Sequence, residues 1–259
     1  MNTLTIAILT QNEARKIGKC LASAAFADQV IVMDSGSTDQ TVLIAKAAGA
    51  ETYIESDWQG FAVQRNRILP HVTSDYIFFL DADEEITPQL RDEILSQVQS
   101  SADAIWEVFW EQFAFGRSLR PMNNNKSGGV QRMFKTASLS HFEGVVHEGA
   151  VMNSKNLSVK PLRSYLLHYS RDNIYDAILK LAQYSRLGAF KRQQKGKVGG
   201  IWRGFASAFA LFFRLYVLRR GFLCGGAGFL YSFFVALECF FRYAMIKYDA
   251  DSLSQFVKR

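Results

Sequence analysis

The first hundred residues alternate between two periodicities, and this limits the fold more than anything else in the chain. Strand signals at residues 4–9, 29–33, 51–55 and 75–80 are separated by segments with helical spacing. Ile17, Leu21 and Ala25 share one stripe of a helix over residues 13–26. Thr38-Asp39-Gln40-Thr41 opens a second helix that stops at Gly49, and residues 61–69 form a third, closed by Pro70. Thr87-Pro88 has the order of an N-cap and a first helical turn. Strand and helix in strict alternation predict an α/β fold: a Rossmann-like, mostly parallel sheet flanked by helices.

Ligands of such sheets bind beyond the carboxyl ends of the strands. The polar clusters fall there: Thr10-Gln11-Asn12-Glu13 after the first strand, Asp34-Ser35-Gly36-Ser37-Thr38-Asp39 after the second, Asp81-Ala82-Asp83 after the fourth. Three clusters at adjacent strand ends predict one site. Side chains alternate along a strand, so Asp81 and Asp83 face the same way. Two such carboxylates suit Mg²⁺ or Mn²⁺, hard cations that also bridge phosphate oxygens. The plainer alternative is a solvated loop entering a helix whose first turn favours acids. Glu84 and Glu85 are assigned to that alternative, and Asp39 to turn and cap chemistry.

The formal net charge of +6 conceals a division. Residues 1–100 hold 7 Lys and Arg against 14 Asp and Glu, net −7, and residues 101–259 hold 23 against 10, net +13. Between Lys155 and Arg220 there are 14 cations and two anions, Asp172 and Asp176. Such a stretch calls for an anionic partner or a solvated face. Cys20, Cys224 and Cys239 show neither pairing nor metal spacing, which fits a reducing compartment. The start, Met1-Asn2-Thr3 followed by an apolar run with no basic flank, does not read as a signal peptide.

After a strand at residues 105–113 comes a polar segment with Gly116, Pro121, Asn123 to Asn125 and Gly128-Gly129, read as a mobile loop near the site. A helix over residues 172–190 places Ile174, Ile178, Leu181 and Ser185 on one stripe. Residues 201–248 are dense in Phe, Leu, Trp and Tyr, punctuated by arginines. The uncharged run at residues 221–237 spans 17 residues and holds four glycines. That is short of the roughly 20 a spanning helix needs. Residues 202–220 mix aromatics with cations, as in a helix lying at an anionic membrane surface. The alternative is an internal helical subdomain or an oligomer interface. No nucleic-acid-reading module is recognisable, so nucleic acid is not expected as a partner.

Ala7-Ile8-Leu9-Thr10-Gln11-Asn12-Glu13, Val32-Met33-Asp34-Ser35-Gly36-Ser37-Thr38-Asp39, Gln64-Arg65-Asn66 and Leu80-Asp81-Ala82-Asp83 together resemble the nucleotide-binding half of family 2 glycosyltransferases, the inverting GT-A class. His147-Glu148 and the aromatic, basic C-terminus are similar to the bacterial lipopolysaccharide-core glucosyltransferases of the WaaE/KdtX/LgtF group. The resemblance implies a GT-A domain over residues 1–170 and a helical membrane-associating region over 171–259. It implies transfer of a sugar, glucose from UDP-glucose, to a lipopolysaccharide, lipooligosaccharide or other glycolipid acceptor such as core heptose. The place implied is the cytoplasmic face of the inner membrane, with the enzyme peripheral and the oligomeric state open.

By the same resemblance Thr10, Asn12 and Glu13 line the nucleoside pocket, with Asp34 or Ser35 near the base. Arg65 lies near the diphosphate, Asp81 near the ribose or the metal, and Asp83 on the metal. Inverting transfer needs a carboxylate that takes the acceptor proton. Glu148 is the candidate, beside His147, which can orient substrate or ligate the metal; Glu111 and Asp172 are the alternatives. Glu148 paired with a nearby cation is the plainer reading. Arg132 and Lys135 are candidates for holding the diphosphate or an anionic acceptor. His141 and His168 are assigned structural roles. Asp-x-Asp at a strand end also marks haloacid-dehalogenase-type phosphatases, but there it opens the fold and continues to Thr or Val, whereas here Glu84 follows the fourth strand. A non-catalytic nucleotide-sugar-binding membrane protein is the third reading.

Overall fold

A computed structural model of the 259-residue chain describes residues 1–122, 129–144, 149–154 and 156–255. The residues group into two compact units: Met1–Trp110 with Asn125–His168, and Glu111–Asn124 with Tyr169–Arg259.

The first unit opens with β1 (Leu4–Thr10), α1 (Ile17–Ala24), β2 (Gln29–Asp34), α2 (Thr41–Ala47), β3 (Glu51–Ile54), α3 (Phe61–Ile68), β4 (Tyr76–Asp81), β5 (Glu84–Ile86) and α4 (Pro88–Gln99). Then come β6 (Ile105–Ala114), β7 (Arg117–Ser118), β8 (Val130–Lys135), β9 (Leu139–Glu143), β10 (Gly149–Met152) and β11 (Val159–Arg171). The sheet order is β3-β2-β1-β4-β8-β6-β11-β5, with β7 paired to β6. Strands β3, β2, β1 and β4 are parallel, and β8 joins β4 antiparallel. This is the Rossmann-like α/β arrangement of the GT-A class.

The apolar pattern explains which strands are central. All seven residues of β1 and the first five of β4 are buried, as in strands covered on both faces. Edge strand β3 has Glu51 and Ile54 exposed. Alternate residues divide the core: Ile6, Ile8, Phe78 and Leu80 pack with Ile17, Leu21, Leu90 and Ile94 of α1 and α4. Ala7, Leu9, Ile77 and Phe79 pack with Ala62 and Ile68 of α3 and with Phe142 of β9. Each fully buried Phe in this set contributes about 2–3 kcal/mol of transfer free energy.

Several boundaries differ from the sequence reading. Helix α1 starts at Ile17, not near residue 13, after a turn in which the Lys16 and Ile17 N–H groups both donate to the Glu13 carbonyl at 2.9 Å. The Glu13 N–H donates to Thr41 Oγ1 at 2.8 Å and the Ala14 N–H to Asp39 at 3.1 Å, so amides that have no intrahelical partner brace two loops. Asp39 also accepts from the Thr41 N–H, so α2 begins at Thr41. Burial opposes ionisation of Asp39, but its bonds from Thr41 and Ala14 hold the carboxyl below its usual range. The expected Thr87 cap is present, its Oγ1 accepting from the Leu90 N–H at 3.2 Å. Part of the expected mobile loop, residues 123–128, lies outside the described residues.

The second unit contains α5 (Ile174–Gln194), α6 (Ile201–Phe213), α7 (Gly225–Tyr248) and α8 (Ala250–Gln255), with a π-helical turn at Arg214–Leu218 after α6. The predicted stripe on α5 is corrected in part: Ser185 is buried as expected, but Ile174 and Ile178 are exposed, and Ala177, Ala189 and Phe190 are buried. Small residues face α7 because the two helices approach closely. A Cβ on Gly188 would lie 2.2 Å from the Arg242 side chain. The Glu238 carboxylate forms a buried ion pair with Arg171, whose guanidinium lies 5.2 Å from the Tyr231 ring centroid. Ile201–Leu218 and Gly221–Tyr248 are long and apolar enough to cross a membrane by length and composition. The length argument against residues 221–237 therefore falls, since the helical segment continues to Tyr248. Trp202, Phe205, Phe209 and Phe213 of α6 are exposed, Trp202 by 85% and Phe209 by 74%.

Candidate active site

The register of the sheet brings the three polar clusters to one edge. Thr10 pairs with Asp34 across β1 and β2, and Leu9 with Asp81 across β1 and β4. The carboxyl ends of the three strands therefore lie side by side, as the sequence predicts.

Around β1 and β2 the polar side chains brace loops. Asn12 takes a left-handed conformation, φ 56°, which Asn tolerates well. Its N–H donates to Ser37 Oγ at 2.8 Å, and its Oδ1 accepts from the Thr38 N–H at 2.8 Å. Asp34, fully buried, accepts from the Gly36 N–H at 2.9 Å, the Ser37 N–H at 2.7 Å and the Ser37 hydroxyl. Gly36 has φ +88°, and a Cβ there would lie 2.9 Å from the Ser56 Cβ, so only glycine fits this turn. Buried Gln64 donates to Ser35 Oγ at 3.0 Å and to the Glu55 carbonyl at 2.9 Å. Thr10 is buried, and Glu13 lies 3.9 Å from Lys16.

At β4 the charges concentrate. Arg132, buried on β8, sets its Nη2 2.6 Å from Asp81 Oδ2 and 2.6 Å from Glu84 Oε1. Glu84 also accepts from the Asp81 N–H at 2.9 Å and from Trp110 Nε1 at 2.6 Å. The Trp110 ring lies 5.9 Å from the Arg132 guanidinium and 5.0 Å from the His168 ring. Arg65, buried on α3, sits 5.3 Å from the ring centroids of both Phe79 and Phe142 and 3.9 Å from Asp81 Oδ1. The Asp81 side chain keeps 34% of its surface exposed, whereas that of Glu84 is sealed.

Burial raises the Asp81 carboxyl, but the charge and hydrogen bond of Arg132, with Arg65 behind, outweigh it and hold Asp81 below the usual range. Burial pushes Glu84 up to about 7 against the opposing pull of Arg132. Burial disfavours His168 protonation, yet the hydrogen bond and charge of Asp83 carry it above its ordinary value.

One sequence reading changes here, and two gain detail. Glu84 belongs to neither a solvated loop nor a helix start; it lies in β5, buried, because it closes the network under Asp81. His168, read as structural, lies 3.6 Å from Asp83 Oδ2, since β11 pairs with β5 and sets His168 opposite Glu84. Arg132, a candidate for the diphosphate, is engaged by Asp81 and Glu84 beneath the surface. Trp110 carried no signal beyond its residue type, and Gln64 only its place in the Gln64-Arg65-Asn66 motif. His147 and Glu148 lie outside the described residues.

Asp81 and Asp83 offer carboxylate oxygens, and one or two carboxylates completed by substrate phosphates and water is the donor set of a Mg²⁺-like ion. Among the described residues, no three His, Cys, Asp or Glu side chains gather as a self-sufficient metal cage. The pair thus fits a cation shared with substrate.

The chain is 27% identical over 260 residues to the lipopolysaccharide core biosynthesis glycosyltransferase LpsC of Rhizobium meliloti (strain 1021), covering 93% of each chain. It is 29% identical over 250 residues to an uncharacterized glycosyltransferase of Rickettsia bellii (strain RML369-C), covering 93% of this chain and 84% of that one. Among solved structures it is similar to S. aureus TarS, with a TM-score of 0.47 and 15% identity, over 70% of this chain and 39% of that one. Residues 5–150, more than half of the chain, match the family model "Glycosyl transferase family 2". That span carries β1 to β4 with every polar cluster at their ends, and it decides against the phosphatase reading: the chain is a member of glycosyl transferase family 2.

Proposed function

We propose that this glycosyltransferase moves a hexose, glucose from UDP-glucose, with inversion onto a sugar of a lipopolysaccharide or lipooligosaccharide inner core. The observation that carries the reading is the match to LpsC over 93% of both chains, which extends past the family domain into the C-terminal helices. Thr10, Asn12, Glu13, Asp34 and Ser35 would shape the nucleoside pocket, Asp34 and Asn12 through the turns they fix. Arg65, set against the Phe79 and Phe142 rings, would add positive charge near the diphosphate. Asp83 and Asp81, with His147, would hold Mg²⁺ or Mn²⁺, which supplies charge to the departing diphosphate.

Glu148 is assigned the proton of the attacking acceptor hydroxyl, because an inverting displacement needs one carboxylate on the acceptor side. The division of labour is residues 1–170 for donor binding and chemistry and residues 171–259 for membrane association. Exposed Trp202, Phe205, Phe209 and Phe213, among the 14 cations between Lys155 and Arg220, support a peripheral position on an anionic surface. The site of action is then the cytoplasmic face of the inner membrane.

The test is transfer of labelled glucose from UDP-glucose to deglucosylated core lipid in vesicles. Label in the lipid supports the reading. Transfer only from another nucleotide sugar, or only to a soluble acceptor, replaces the donor or acceptor assignment.

A further inference from the structure

Glu84 has no part in donor contact as argued above, yet its carboxylate is sealed from solvent within the site. Its side chain is fully sealed, and the three hydrogen bonds described for it all come from donors: the Asp81 N–H at 2.9 Å, Trp110 Nε1 at 2.6 Å and Arg132 Nη2 at 2.6 Å. The same Arg132 nitrogen reaches Asp81 Oδ2, also at 2.6 Å. One guanidinium nitrogen is thus divided between an inner carboxylate that meets no solvent and an outer one that remains a third exposed.

We propose that Glu84 is a positioning residue for donor binding. It holds Arg132 inward and fixes the end of β4, so that Arg132 engages Asp81 through Oδ2 and the Oδ1 edge of the carboxylate faces the donor. The inference rests on the reading of Asp81 as a donor-site residue.

The chemistry of the contacts says what replaces Glu84 and what does not. A carboxylate accepts at both oxygens, whereas an amide has one accepting oxygen and one donating nitrogen. In Glu84→Gln the amide nitrogen must face the Asp81 N–H or the Trp110 and Arg132 donors. Either contact sets donor against donor. With Arg132 no longer shared with an inner carboxylate, it bears more closely on Asp81 and draws it away from the open edge.

The experiment is calorimetric binding of UDP with Mn²⁺ to the full chain and to Asp81→Asn, Glu84→Gln and the double variant, with thermal midpoints recorded alongside. Asp81→Asn and Glu84→Gln should each weaken UDP binding about tenfold, and the double variant should be within about twofold of Asp81→Asn, since residues acting through one another are non-additive. UDP affinity unchanged in Glu84→Gln, whatever its midpoint, or losses that simply add, overturn the positioning role. UDP affinity unchanged in Asp81→Asn overturns the donor-site reading itself. Should Glu84→Gln not fold, Glu84→Asp keeps the charge but is one methylene too short to hold the Asp81 N–H and Arg132 together. It should weaken UDP binding in the same direction, and wild-type affinity there contradicts the role equally.

Discussion

His168 Nε2 lies 3.6 Å from Asp83 Oδ2, so the histidine of β11 stands against the acid that ends the Asp-x-Asp motif. The approach is set by backbone pairing of His168 with Glu84, and the Trp110 ring covers the histidine on one side. Because its pKa is raised above the ordinary 6.5, the folded protein binds this proton more tightly than the unfolded chain does. The stability His168 contributes is therefore complete below the unfolded value and is lost as pH rises through the folded one.

His168→Gln should accordingly destabilise the protein more at about pH 5.5 than at about pH 8.5. Denaturant unfolding of both proteins across that range measures it. Equal destabilisation at the two ends would show that the histidine is not charged in the fold.

Arg132→Met should cost about 3–5 kcal/mol, because it leaves the acids Asp81 and Glu84 together without the cation they share. Adding Glu84→Gln to it should cost less than the two losses summed, since the second change removes an acid whose cation partner is already gone. Urea midpoints of the three variants decide this, and strict additivity would mean that Arg132 and Glu84 do not act as a pair.

The parallel core was legible because its information is local. A run such as Tyr76 to Leu80, buried at every position, identifies itself as a central strand, and Asp81 and Asp83 follow it directly. The network beneath them was not legible. Glu84 meets Trp110 from 26 positions away and Arg132 from 48, so its short-range context, four acids within five positions ahead of a helix, suggested solvent. On α5 the stripe of Ile174, Ile178, Leu181 and Ser185 was right at Ser185 only, because close packing against α7 selects small residues and buries Ala177 and Ala189 beside it. Periodicity identifies an apolar face, but not how near its neighbour comes.

Glu148→Gln should keep near-normal affinity for the nucleotide sugar and lose transfer by roughly 100-fold or more, as removal of a general base does. Calorimetry with the donor, set beside initial rates, separates the two. Proportionate loss of binding and rate would make Glu148 a binding residue.

Trp202→Ser with Phe209→Ser should leave the protein on anionic liposomes at low salt and release it at high salt, because cations alone then hold it. Each cation near an anionic surface contributes about 1 kcal/mol before screening, whereas inserted aromatic area is indifferent to salt. Sedimentation with liposomes across a salt series reads this out. Wild-type salt resistance in the double variant would assign these rings to packing against protein.

The central claim is that Asp83 binds a divalent cation that the sugar transfer needs, and it is tested most directly by donor hydrolysis. Purified protein is assayed against a panel of nucleotide sugars with Mg²⁺, with Mn²⁺ and with chelator, beside Asp83→Asn. Hydrolysis of one donor, most rapid with UDP-glucose, should require the metal and fall about 100-fold or more in Asp83→Asn, the scale of losing about 3 kcal/mol of preorganised charge stabilisation. Full activity of Asp83→Asn, or of the wild-type enzyme in chelator, would contradict it.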